Sequence, residues 1–162
     1  NTLFSVNIEL ECDENLIGFF DGDRIQQILI NVLENSAAFI KSNAAGSILI
    51  SANIDTVSSP LSDTFSNSLS QTLVIRVHNN GPSIPDDMLP HLFEPFITQR
   101  SGGSGLGLSI VRRIVDAYQG EIEHSTDQGW PVSFIVSLPL PKLKVNHNDT
   151  SHQEAEKWVH VF

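Results

Sequence analysis

The apolar residues of this chain change period along its length, and the order of those changes limits the architecture. Phe4, Val6, Ile8 and Leu10 alternate with Ser5, Asn7 and Glu9, the period of two of a half-buried strand. A second short extended piece is expected over residues 16–20. From Arg24 the spacing becomes helical. Ile25, Ile28, Leu29, Val32 and Leu33 form one stripe behind the turn and cap Asp21-Gly22-Asp23, which predicts a helix to about residue 41. Alternation returns over residues 47–54 and 73–77, followed by the turn signal Asn79-Asn80-Gly81-Pro82. A short helix is predicted over residues 85–92 and a longer one over residues 106–118, on the spacing of Ile110, Val111, Ile114, Val115 and Tyr118. Strands over residues 121–124 and 133–138 close the pattern. This order implies an α/β sandwich, a mixed and mostly antiparallel sheet covered on one face by helices.

Length allows one such domain, placed at residues 1–140 of the 162, with residues 141–162 as a polar tail ending Trp158-Val159-His160-Val161-Phe162. Residues 56–72 are read as a flexible insertion, because 9 of those 17 are Ser or Thr, with Pro60 among them. Phosphorylation or partner binding is the other reading of that segment. Nine basic against 19 acidic residues leave a net charge of −10, which disfavours nucleic acid and anionic membranes as partners. Cys12 is the one cysteine, so no internal disulfide forms. The first residue is Asn1, not methionine, which reads as a fragment or a processed product.

Chemistry is concentrated in a few places. Gly102-Gly103-Ser104-Gly105-Leu106-Gly107 runs directly into an amphipathic helix. Glycines let backbone N–H groups approach an anion, and the helix N-terminus adds a favourable dipole, so the loop suits a phosphate. It is not a Walker loop, for it lacks the Gly-Lys-Ser/Thr ending. Asn31 and Asn35 share one face of the first long helix, where two amide oxygens suit magnesium, a hard cation. As an isolated pair they equally well face solvent or cap backbone. Asn79 reads as a turn residue or as the polar floor of a pocket. Arg100 beside the glycine loop could meet a terminal phosphate or simply be solvated. The six histidines lack metal-ligand spacing, and no nucleophile set stands out.

Taken together and in order, these pieces resemble the ATP-binding catalytic domain of sensor histidine kinases. That domain is part of the ATPase superfamily shared with gyrase, heat-shock chaperones and mismatch-repair ATPases. The stretch Asp21-Gly22-Asp23-Arg24 through Asn31-Val32-Leu33-Glu34-Asn35 is similar to the N box. Asn79-Asn80-Gly81-Pro82-Ser83-Ile84-Pro85 stands in the place of the first glycine box, and Phe93-Glu94-Pro95-Phe96-Ile97-Thr98 resembles the F box. Gly103-Ser104-Gly105-Leu106-Gly107-Leu108-Ser109-Ile110-Val111 is close to the second glycine box.

The resemblance implies a Bergerat-type sandwich that binds ATP and Mg2+ between the N-box helix and a lid around residues 96–105. Asn31 and Asn35 would hold the metal and phosphates, with Asn31 and Arg100 in catalytic roles. Gly103, Gly105 and Gly107 would cradle the phosphates, and Asn79 would face the adenine amine. Gly81, Ser83, Ile84, Phe96, Thr98, Ser104, Leu106 and Leu108 would complete the nucleotide site. The γ-phosphoryl group would pass to a histidine on a separate dimerisation domain, so this chain alone is not expected to autophosphorylate. A response regulator would be served through a full-length homodimeric kinase in the cytoplasm, or in an organelle stroma after removal of a targeting peptide. Superfamily hydrolases carry a glutamate base where this chain has Asn31, and an amide cannot take a proton from water, which favours transfer over hydrolysis.

Four positions depart from the family pattern: Asn79 for the usual aspartate, Ser83 for glycine, Ala38 for lysine with Lys41 one turn on, and Pro131-Val132 for Gly-Thr. Exchanging a charge-assisted bond at Asn79 for a neutral one costs about 1–2 kcal/mol, roughly five- to thirty-fold in affinity. These departures define an alternative reading, a pseudokinase module that keeps the fold and acts by docking.

Overall fold

The computed structural model describes residues 6–13, 16–40, 45–58, 69–98, 103–126, 129–140 and 158–160. In chain order the elements are β1 (Val6–Cys12), β2 (Ile17–Phe19), α1 (Gly22–Phe39), β3 (Gly46–Ser58), β4 (Leu69–Asn79), a 3-10 turn (Leu89–His91), α2 (Gly107–Ala117), β5 (Glu121–Ser125), β6 (Val132–Pro139) and β7 (Trp158–His160). Five strands form one sheet in the order β1-β3-β4-β6-β5, with β1 parallel to β3 and every other pair antiparallel. This is the expected mixed α/β sandwich.

Register explains which face is buried. Ile50, Val77 and Phe134 stand side by side across β3, β4 and β6, as do Ile75, Val136 and Ile122 across β4, β6 and β5. All are in the core, joined there by Ile25, Ile28 and Val32 of α1 and by Leu108, Val111, Ile114 and Val115 of α2. Both helices therefore lie on this face. The other face carries the alternate, more polar positions, including Ser51, Arg76 and Glu123. Asp21 caps α1, its carboxylate accepting the Asp23 N–H at 3.1 Å, while its own N–H donates to the Tyr118 hydroxyl at the far end of α2. The two helices thus run antiparallel, pinned at one end.

Several sequence expectations are corrected. β1 is not half-buried: Ile8 and Leu10 are 56% and 53% exposed. Neighbouring strands lie about 4.8 Å apart and a helix is about 10 Å wide, so two helices cover four strands and leave the fifth open. The helix expected over residues 85–92 is a turn followed by one turn of 3-10 helix at Leu89–His91, because Pro90 has no N–H to donate. The β3–β4 hairpin extends to Ser58 and back from Leu69, well into the segment read as a flexible insertion. Cross-strand pairs such as Thr56 with Gln71 continue the ladder there, leaving only residues 59–68 outside the described residues. Trp158–His160, placed in a polar tail, forms β7 antiparallel to β2. Residues 141–157 lie outside the described residues. Among the described residues no helix is long and apolar enough to cross a membrane.

Candidate nucleotide site

At the end of the sheet where α1 finishes and α2 begins lies a cavity of about 470 Å3, a size suited to a small ligand. Of the expected site residues, Asn31, Asn35, Ser83, Ile84, Thr98, Gly103, Ser104, Gly105, Leu106, Gly107 and Leu108 all line it. They come from three separate parts of the chain: α1, the segment after β4, and the glycine loop.

The Asn31 side chain is held by its own helix. Its Nδ2 donates to the Gln27 carbonyl at 2.7 Å, so the amide oxygen is the end left toward α2. A Cβ on Gly107 would sit 3.3 Å from that oxygen, tighter than most real contacts, so a side chain there would push the Asn31 amide by a few tenths of an ångström. Leu106 caps α2 without a side-chain hydrogen bond, so the first-turn N–H groups keep donor capacity facing the cavity. Gly105 has φ +67°, and a Cβ there would lie 2.6 Å from the Phe96 carbonyl carbon. Its carbonyl accepts the Phe96 N–H at 2.9 Å, which straps the F-box segment to the glycine loop.

Three expected residues stand apart from the wall. Asn79 is 1% exposed and does not line the cavity. Its Oδ1 accepts the Gly81 N–H at 3.0 Å and its Nδ2 donates to the Ser36 hydroxyl at 3.2 Å, so it ties the turn behind the cavity to α1. Gly81, also behind the wall, is kept free of a side chain by that Asn79 oxygen, 2.8 Å from where its Cβ would be. Phe96 is 74% exposed, its ring outside the cavity. Arg100 lies outside the described residues.

Sequence reasoning missed part of the lining: Glu34, Phe39, Pro82, Pro85, Met88, Leu92, Ile97 and Ile110. Phe39 was within reach, because it continues the i, i+4 row of Asn31 and Asn35. The remaining apolar residues look like ordinary core in a sequence. Electrostatically, Glu34 is the one charged group on the described lining, with no lysine, arginine or histidine beside it. A phosphate chain entering here finds amide oxygens, backbone N–H groups and a helix N-terminus, and needs a cation to offset its charge. The oxygen donors present suit Mg2+.

The sequence signature of the histidine kinase-, DNA gyrase B- and HSP90-like ATPase family matches residues 20–142. The chain belongs to that family. Within these ATPases its similarities are to histidine kinases. The sensory histidine kinase/phosphatase NtrB of Rhizobium meliloti (strain 1021) is 36% identical over 125 residues, 76% of this chain and 32% of NtrB. The autoinducer 2 sensor kinase/phosphatase LuxQ of Vibrio harveyi is 33% identical over 139 residues, 82% of this chain and 15% of LuxQ. The chain thus spans a third or less of these relatives. The solved catalytic domain of histidine kinase ThkA, in a nucleotide-free form, superposes with a TM-score of 0.64 at 31% identity over 83% of this chain and 79% of that one. The chain is therefore an ATP-binding catalytic domain of the sensor histidine kinase type, and nothing in the fold or the relatives supports the docking-only alternative.

Proposed function

We propose that this ATPase-family domain binds Mg2+-ATP in the 470 Å3 cavity and transfers the γ-phosphoryl group to a histidine of a separate dimerisation domain. The observation that carries the reading is the convergence of the Asn31 amide oxygen, Asn35 and the uncapped N-terminus of α2 on one cavity without a basic side chain on its described lining. Asn31 and Asn35 would hold Mg2+, which supplies neutralisation of the phosphate charge. The glycine loop's N–H groups orient the phosphates, and Phe39, Ile84 and Met88 offer an apolar berth to the base. Asn79, 1% exposed and off the lining, would read the adenine amine through the Oδ1 that holds the Gly81 N–H, which requires the turn in front of it to open as the nucleotide enters. Phosphoryl transfer depends chiefly on positioning and charge stabilisation, which such a set can provide. Asn31 cannot deprotonate water, so transfer is favoured over hydrolysis. The acceptor domain and a response regulator belong to a longer, homodimeric kinase acting in the cytoplasm.

The test is a calorimetric titration with ATP, with and without Mg2+, followed by transfer of γ-labelled phosphate to a histidine-bearing acceptor domain. Micromolar to sub-millimolar binding that needs Mg2+, with label on the acceptor histidine, is expected. Absence of binding refutes the site, and release of free phosphate without labelled histidine refutes the transfer.

A further inference from the structure

β1 is the edge strand at one end of the sheet, paired with β3 on one side only. Residues 7–11 are all exposed, and the strand has two chemical faces. Ile8 and Leu10 continue the core side of the sheet past the reach of the helices. Glu9 and Glu11 alternate with them on the opposite side, and neither belongs to an ion pair among the described residues. Asn7 donates its side-chain amide to Glu9 at 2.8 Å. An edge whose backbone N–H and C=O groups are open is a template for another strand. Two β1 strands laid together would gather four glutamates on one face, which disfavours β1 as its own partner. One stretch of the chain carries the complementary alternation: Lys142-Leu143-Lys144-Val145, which lies outside the described residues.

We propose that the free edge of β1 takes residues 142–145 of a second copy of this chain as an added antiparallel strand. In the register that sets Lys142 beside Glu11, Leu143 falls beside Leu10, Lys144 beside Glu9 and Val145 beside Ile8. Directly opposed residues of an antiparallel pair share a face, so both lysines meet glutamates on one side. On the other side the two aliphatic side chains cover Ile8 and Leu10. A slip of one residue sets each lysine against an aliphatic side chain instead. Pro141, which has no N–H, falls at the start of the added strand, a position that tolerates it. The tail of the same copy does not reach this edge. β6 ends at Pro139, and the free edge of β1 lies four strand spacings away, about 19 Å. Lys142 follows Pro139 by three residues, no more than about 11 Å of extended chain. Each copy lends a strand and receives one, and a mutual exchange of this kind closes on itself as a two-fold dimer.

The test is sedimentation velocity of the 162-residue chain over rising concentration at low salt. Wild type is expected to form a dimer that added salt weakens. Glu9→Lys/Glu11→Lys and Lys142→Glu/Lys144→Glu should each raise the dimer dissociation constant about tenfold or more. Thermal midpoint and Mg2+-ATP affinity should stay unchanged in both. An equimolar mixture of the two variants should dimerise again, because each supplies the charges that the other's strand needs. Wild type that stays monomeric at every concentration overturns the proposal. So does a mixture that remains monomeric. Loss of association in the first variant alone, with the second behaving as wild type, also overturns it and makes the occupant a second β1.

Discussion

Phe96 donates its backbone N–H to the Gly105 carbonyl at 2.9 Å, and both residues hold left-handed backbone, with φ of +68° and +67°. One strap thus joins the F-box segment to the glycine loop across the cavity mouth. It depends on glycine at position 105, where a side chain would meet the Phe96 and Ile97 backbone at 2.6–2.9 Å. Gly105→Ala adds about 1–2 kcal/mol of left-handed strain to that collision. Calorimetry should show Mg2+-ATP affinity reduced about tenfold or more, with a smaller drop in thermal midpoint, because the strap lies outside the buried core.

Asn31→Ala removes the amide oxygen that faces Gly107 and the bond to the Gln27 carbonyl. If that oxygen serves the metal, affinity for ATP in the presence of Mg2+ falls about tenfold or more, while Mg2+-free binding changes little. Titrations at zero and saturating Mg2+ decide it, and equal losses in both would assign Asn31 a packing role alone.

Asn79→Asp tests the neutral adenine reader. The carboxylate can keep the Gly81 N–H bond, and the Ser36 hydroxyl can turn from acceptor to donor, so the fold should be retained. Restoring a charge-assisted bond should raise ATP affinity roughly five- to thirty-fold. Affinity unchanged in the variant would place the adenine elsewhere.

His124 connects pH to stability. Its Nε2 is buried without a hydrogen-bond partner among the described residues, its ring meets Phe134 edge-on, and burial pushes its pKa below the ordinary 6.5. The fold therefore holds it neutral, and the unfolded chain binds the extra proton as pH falls through about 6.5. Its influence on stability should be flat above that pH and increasingly unfavourable below it. Urea unfolding at pH 7.5 and 5.5 should show the acid loss shrinking in His124→Phe, and an identical loss in the variant would clear His124.

Ile8→Ser and Leu10→Ser should each shift stability by no more than about 0.5 kcal/mol, since both side chains are more than half exposed. Ile50→Ala, on the neighbouring strand and 8% exposed, should cost about 2–4 kcal/mol in the same urea measurement.

These two kinds of residue mark the limits of reading a fold from sequence. Ile50 and Leu10 stand as direct partners in the β1–β3 register, and both belong to alternating runs. Alternation reports which face a side chain takes. It does not report whether a helix covers that face. In the site, Asn31, Asn35 and the glycine loop were legible because helical spacing and glycine carry backbone information locally. Met88, Leu92 and Ile97 were not, since an apolar residue lining a cavity has the same local pattern as one filling a core. Pro90 carried a signal against the short helix, but the apolar residues around it suggested one.

By itself, the sequence determined the order and type of the main elements and the family to which the chain belongs. Periodicity, caps and glycine act over a few residues and survive without the fold. Only the tertiary structure decided that Asn79 is tied to Ser36 and Gly81 behind the wall, and that β1 stays uncovered. Each of these joins residues that are distant in the chain, or sets how far a helix layer reaches across a sheet. Packing of whole elements fixes such relations, and no local pattern encodes them.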